Sequence, residues 1–166
     1  MIENALKEAC FDFISDDNKR FITAFTNALK EIGFLSQEIG NGFCWGRYMI
    51  IYRKQGAKSK TVYARIYIRD DSICLRLFFN NVTKHAEFII NTPEFIRDVF
   101  MGDYGKCKHC KGDHCKFRKD YEINGVKYEK CNGVTFEFYN PSIEKLPHYM
   151  DLFQEFYCKK SKIATV

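Results

Sequence analysis

The spacing of apolar positions divides the chain into a helical opening, two groups of strands and a closing helix. Phe21, Ala24, Phe25, Ala28, Leu29 and Ile32 recur at helical intervals until Gly33, and Ser15-Asp16-Asp17 ahead of them supplies a capping side chain and first-turn acids. This predicts an amphipathic helix that covers something flat. Residues 34–42 read as a glycine-bearing loop, after which the composition turns to strand over 43–54, 61–69 and 72–80, linked by Gln55-Gly-Ala-Lys-Ser-Lys60 and by Asp70-Asp71.

If Asp70-Asp71 forms a two-residue turn, Arg69 pairs with Ser72 and the register follows. Ala64, Ile66 and Ile68 then lie over Leu77, Leu75 and Ile73 as one apolar face for the helices to cover. The opposite face holds Tyr63, Arg65 and Tyr67 against Phe78, Arg76 and Cys74. Two arginines directly across a ladder cost on the order of 0.2–1 kcal/mol unless something anionic lies between them. Tyr63, Arg65, Tyr67, Arg76 and Phe78 are therefore the candidate ligand residues, a seat for a phosphate, a carboxylate or a stacked base. The plainer alternatives are neutralisation by an acid from another element, such as Glu87 or Glu137, and simple solvation.

In the second half, 83–90 reads as a short helix, and Thr92-Pro93-Glu94 as the cap, first position and early acid of another over 93–101, ended by Gly102. Asn124-Gly125 is a strong hairpin signal because both positions accept positive φ. A second Asn-Gly at 132–133 extends the prediction to a meander of strands 119–123, 126–131 and 134–139. A last helix over about 147–159 puts Met150, Phe153 and Tyr157 on one face, with Phe100, Phe138 and Phe156 in the core. The fold class expected is α+β, with antiparallel sheets and helices packed on one face. One domain spans 1–166 and contains a zinc-stapled loop and β-meander over 103–140.

The strongest chemical signal is Cys107-Lys-His-Cys110-Lys-Gly-Asp-His-Cys115 followed by Cys131. Thiolates at C-x2-C spacing supply two ligands from one turn to a borderline-soft cation, and four of them close a tetrahedral structural Zn2+ site with no position left for water or substrate. Counting back along the Asn124-Gly125 hairpin puts Cys131 opposite Arg118, three residues from Cys115. His109 and His114 are alternative ligands for one position but read as loop residues. An iron–sulfur cluster also takes four thiolates, although no ferredoxin spacing is present. Disulfides need an oxidising compartment, and the opening Met-Ile-Glu-Asn-Ala-Leu-Lys-Glu has neither the basic nor the apolar segment of a signal peptide. Cys10, Cys44, Cys74 and Cys158 read as small core hydrophobes of a cytoplasmic protein.

The run Cys-x2-Cys-x4-Cys, then Arg118, Tyr121, Asn124-Gly125, Lys130-Cys131 and a closing Val-Thr-Phe-Glu-Phe, resembles a group of small uncharacterised bacterial cytosolic proteins. The likeness extends upstream through Phe43-Cys-Trp-Gly-Arg-Tyr and the strand Arg-Ile-Tyr-Ile-Arg. It implies the cysteine cluster and no reaction.

Composition narrows the function classes further. A chain of 166 residues, 46% hydrophobic, is long enough to bury one sizeable core, and no apolar run approaches the roughly 18 residues of a membrane helix. A net charge of +5 permits an anionic partner without demanding one. Lys106, Lys108, Lys111, Lys116, Arg118 and Lys119 make the cysteine segment the most basic part of the chain. The phosphate-binding loop, the Gly-x-Ser-x-Gly elbow, His-Glu-x-x-His and the dinucleotide glycine motif are all missing. The expectation is a zinc-stabilised binding or sensing domain for a small anionic ligand or a protein partner, with no membrane. The alternative is nucleic-acid binding through the Tyr/Arg face and the lysine-rich loop. An enzyme would instead show a deep pocket with a buried, convergent acid or His85.

Overall fold

A computed structural model of the chain describes residues 1–102, 119–130 and 135–158. Helix α1 (Ile2–Ala5) and a 3-10 turn (Ala9–Phe11) lead into α2 (Asp16–Glu31), whose Ser15 hydroxyl accepts from the Asn18 N–H at 3.3 Å. That bond satisfies one of the amides a helix start leaves unpaired. Gly33, at φ 89°, turns the chain out of the helix, a conformation that side chains disfavour.

Strands β1 (Phe34–Ser36), β2 (Gly40–Asn41), β3 (Tyr48–Lys54), β4 (Ala64–Ile68), β5 (Ile73–Phe78) and β8 (Thr135–Tyr139) form one antiparallel sheet. Its order is β1-β3-β4-β5-β8, with β2 also paired to β3. The predicted register holds: Ala64, Ile66 and Ile68 face Leu77, Leu75 and Ile73, and the Arg69 N–H donates to the Ser72 carbonyl at 2.9 Å. These six residues are almost fully buried together with Phe21, Phe25 and Leu29 of α2. Tyr52 of β3 joins them without an unpaired hydroxyl, because its oxygen lies 2.8 Å from the Thr26 hydroxyl. Burial raises its pKa, so it stays a neutral phenol.

After β5 come a 3-10 turn (Val82–His85), α3 (Ala86–Ile90) and α4 (Glu94–Met101). Pro93 is the cap residue of α4 rather than its first helical position. Thr92, expected as the cap, instead bonds back to the Ile89 carbonyl at 2.6 Å and so closes the preceding turn.

Strands β6 (Lys119–Ile123) and β7 (Val126–Lys130) form a hairpin around Asn124 (φ 52°) and Gly125 (φ 73°), in register from Ile123–Val126 to Lys119–Lys130. Buried Tyr121 and Ile123 dock it on the helices, where the Tyr121 hydroxyl donates to the Phe100 carbonyl and the Glu122 N–H to the Thr83 hydroxyl. Helix α5 (Leu146–Phe153) closes the core and runs on as a π-helical turn (Gln154–Cys158). Phe153 is fully buried, while Met150, Phe156 and Tyr157 pack half-buried against the core.

Four expectations need correction. Residues 34–42 are not a loop, since β1 and β2 lie along the outer edge of β3, each too short to give a local signal. The strand expected over 43–54 starts only at Tyr48, because 43–45 coil into a 3-10 turn. The meander is not formed: β8 pairs with β5 of the main sheet, while β6 and β7 make a separate ribbon. Pairing there buries Phe136 and Phe138 on the core side and sets Glu137 opposite Arg76, a gain the hairpin cannot offer. Finally, Cys10, Cys44 and Cys158 are exposed, and only Cys74 of the four behaves as a core residue.

Candidate arginine and aromatic face

The sheet carries its chemistry on the face away from the helices. Alternation along β3, β4, β5 and β8 brings Arg53, Arg65, Tyr67, Cys74, Arg76, Phe78, Glu137 and Tyr139 to that side. Arg65 pairs directly with Arg76, and Arg76 with Glu137 on the next strand.

The Tyr67 hydroxyl accepts from Arg65 Nη1 at 3.2 Å and from Arg76 Nη1 at 3.3 Å. Arg76 also donates through Nη2 to Glu137 Oε1, and with 6% of its surface exposed it is the most buried charge on the face. A guanidinium is tolerated there because a carboxylate, a phenol oxygen and two aromatic rings take up its charge. Its central carbon stands 4.5 Å from the Trp45 ring centroid and 4.9 Å from that of Tyr67. Arg65 lies 5.5 Å from the Phe78 ring and has no carboxylate partner among the described residues. The Nε atoms of Arg53, Arg65 and Arg76 are buried without a hydrogen-bond partner among those residues. An unmet buried donor costs about 1–3 kcal/mol, more if charged.

Trp45 reaches this face through a tight loop. A Cβ on Gly42 would lie 2.3 Å from the Gly46 carbonyl oxygen, and one on Gly46 would lie 2.7 Å from that of Ile68, so the backbone passes where no side chain fits. Phe43 takes a positive φ of 53°, held by its N–H donating to Asn41 Oδ1 at 2.7 Å. Arg69 Nε donates to the Trp45 carbonyl at 3.2 Å, while its guanidinium carbon stands 5.6 Å from the Tyr139 ring. Phe43, Trp45 and Tyr139 are exposed around the arginines by 76%, 49% and 57%. Beside Trp45 opens a shallow depression of about 620 Å³, bordered by Asn41, Phe43, Arg47 and Arg69.

Charge placement sets the titration of the neighbours. The Tyr139 hydroxyl donates to Glu137 Oε2 at 2.7 Å, and this bond, with partial burial, pushes its pKa up to about 12. Burial, then the Glu137 charge, pushes the Cys74 thiol up to about 11, so it is a protonated filler rather than a nucleophile.

Of the residues singled out from sequence, Arg65, Tyr67, Arg76 and Phe78 share this face. Tyr63 does not: its ring packs against Phe34 at 5.0 Å and Tyr157 at 4.8 Å, among the core aromatics. It precedes the first residue of β4, where the alternation breaks down. Sequence reasoning missed Trp45, Arg53, Arg69 and Tyr139. The sole tryptophan between two glycines was the one available signal. Glu137, named as a candidate neutraliser, neutralises Arg76. His85 stands elsewhere, its Nδ1 3.0 Å from Glu155 Oε1 and its ring on Phe156 at 4.1 Å.

Cys107, Cys110, Cys115 and Cys131 lie outside the described residues, as do His109, His114 and most of the basic segment. Among the described residues no cluster of three or more metal-ligating side chains occurs, and no helix is long and apolar enough to cross a membrane. Comparison with protein-family models, with curated proteins and with solved structures returns no match.

Proposed function

We propose that this protein is a binding module that receives an anionic group on the Arg65–Arg76 face. The observation that carries this reading is the charge balance of one sheet row: two guanidiniums stand side by side, and among the described residues the one carboxylate paired with either is Glu137, spent on Arg76. Arg65 retains donors and a full charge in an aromatic surround, where an oxyanion gains more from a charge-assisted hydrogen bond than it does in water. A phosphate or a carboxylate is the matching chemistry.

The second element of the proposal is a structural Zn2+ held by Cys107, Cys110, Cys115 and Cys131. It rests on the ligand spacing and on the hairpin register, which runs as that reading requires as far as Lys119–Lys130. When bound, the metal supplies folding free energy and no reactive position.

Thermal unfolding in inorganic phosphate against chloride, at matched ionic strength, tests the anion site. Phosphate should raise the melting temperature of the native chain, and Arg65→Met should remove the rise. Identical melting curves in the two salts sink the reading.

A further inference from the structure

We infer that the anionic partner of this face is a single-stranded nucleic acid, with phosphates on the arginines and bases stacked on Trp45 and Tyr139. This rests on the anion-binding reading above and adds the chemical class of the ligand.

Three observations favour a polymer with rings over a small acid. The face is open, and its depression beside Trp45 is shallow, whereas sites for small molecules enclose most of their ligand. Its exposed hydrophobic surface consists of aromatic rings: Trp45 and Tyr139 leave about half their area to solvent beside guanidiniums that already hold them in place. Such rings accept any base by stacking, so they bind strands without reading their sequence. Cations also outnumber acids: Arg53, Arg65 and Arg69 have no carboxylate partner among the described residues, while Arg76 pairs with Glu137 and Arg47, at the depression, with Asp70.

The geometry favours a single strand over a duplex. Arg65 and Tyr67 are two residues apart on β4, as are Arg76 and Cys74 on β5, so the charged row and the row ending in Tyr139 lie about 7 Å apart along the strands. That offset lets one nucleotide lay its phosphate on one row and its base on the other. A duplex keeps its bases stacked inside, out of reach of a flat face.

The test uses the full chain and a fluorescein-labelled twelve-residue oligouridylate, read by anisotropy, with inorganic polyphosphate as a competitor that has charge and no bases. Unlabelled oligouridylate should bind with quenching of Trp45, the only tryptophan. Trp45→Ala should weaken binding about tenfold, the loss of one stacked base. Arg65→Met should lower the slope of log affinity against log salt by about 0.7, the loss of one phosphate contact on a single strand. Lys7→Gln, in the turn after α1, should change neither.

Polyphosphate that displaces the strand at equal charge, with no quenching of Trp45 by either, leaves the anion site standing and overturns the nucleic-acid inference. Strand binding that survives unchanged in both Trp45→Ala and Arg65→Met overturns the assignment to this face. Absence of binding by either polymer overturns both readings. Circular dichroism of each variant guards against misfolding, and Tyr139→Leu provides a second removal of stacking surface.

Discussion

Arg65 and Arg76 stand opposite one another on adjacent strands and both donate to one acceptor, the hydroxyl of Tyr67. Two like charges at this separation repel, and the arrangement persists because Glu137, reaching in from β8, offsets one of them. The proposed binding face and the fold thus meet at one ion pair, which makes that pair the most informative place to perturb.

Glu137→Gln should destabilise the protein by about 3 kcal/mol, the lower end of the range for breaking a buried pair, since Glu137 keeps 27% of its side chain exposed. Urea unfolding measures the change. The double variant Arg76→Met with Glu137→Gln should recover part of the loss, because neither member of the pair is then left charged without the other. A double variant as unstable as the sum of the single ones would show that the two residues act independently.

Gly46→Ala should lower the melting temperature and alter Trp45 fluorescence together. The added methyl group would meet the Ile68 carbonyl oxygen at 2.7 Å, and relieving the clash moves the loop that carries Trp45. Since φ at Gly46 is 178°, the effect is steric and not a left-handed penalty. Wild-type fluorescence with wild-type stability would contradict the contact.

The Tyr139 hydroxyl contributes to stability through the bond its proton makes to Glu137. Its folded pKa is raised above the ordinary 10.0 to about 12, so the contribution is complete below pH 10 and is lost as pH rises through about 12. Tyr139→Phe should therefore be less stable than the native chain at pH 8, and the gap should narrow as pH climbs from 10 to 11. A gap independent of pH would mean that the hydroxyl acts by packing.

Cysteine alkylation at pH 8, mapped by peptide mass spectrometry, should modify Cys10, Cys44 and Cys158 readily and spare Cys74. The first three are exposed, whereas Cys74 is 1% exposed and its thiol is pushed up to about 11. Fast labelling of Cys74 in the folded protein would show that the arginine face opens.

For the proposed Zn2+, Cys131→Ser should lower metal content and melting temperature together, while Cys74→Ser should leave the metal content unchanged. Elemental analysis of the two purified variants decides it, and equal metal in both removes Cys131 from the ligand set.

Much of this molecule was legible in the chain because the deciding signals were local. Ser15 before an apolar stripe makes a capped helix wherever it occurs, and Asn124-Gly125 reverses a strand pair by its own backbone preferences. Asp70-Asp71 likewise set the register of β4 on β5, which alone was enough to place Arg65 beside Arg76. What the tertiary structure decided was everything that depends on distant partners. The choice of β8 between hairpin and main sheet turned on a long-range match, Phe136 and Phe138 to the core and Glu137 to Arg76, that no neighbouring residue announces. The turn that lifts Trp45 over Arg76 depends on the Ile68 carbonyl pressing on Gly46, a contact between residues 22 positions apart in the numbering. Alternation told which side of a strand each residue takes, but whether a side lies open or covered is a property of what packs on it, and that is settled only when the chain closes on itself.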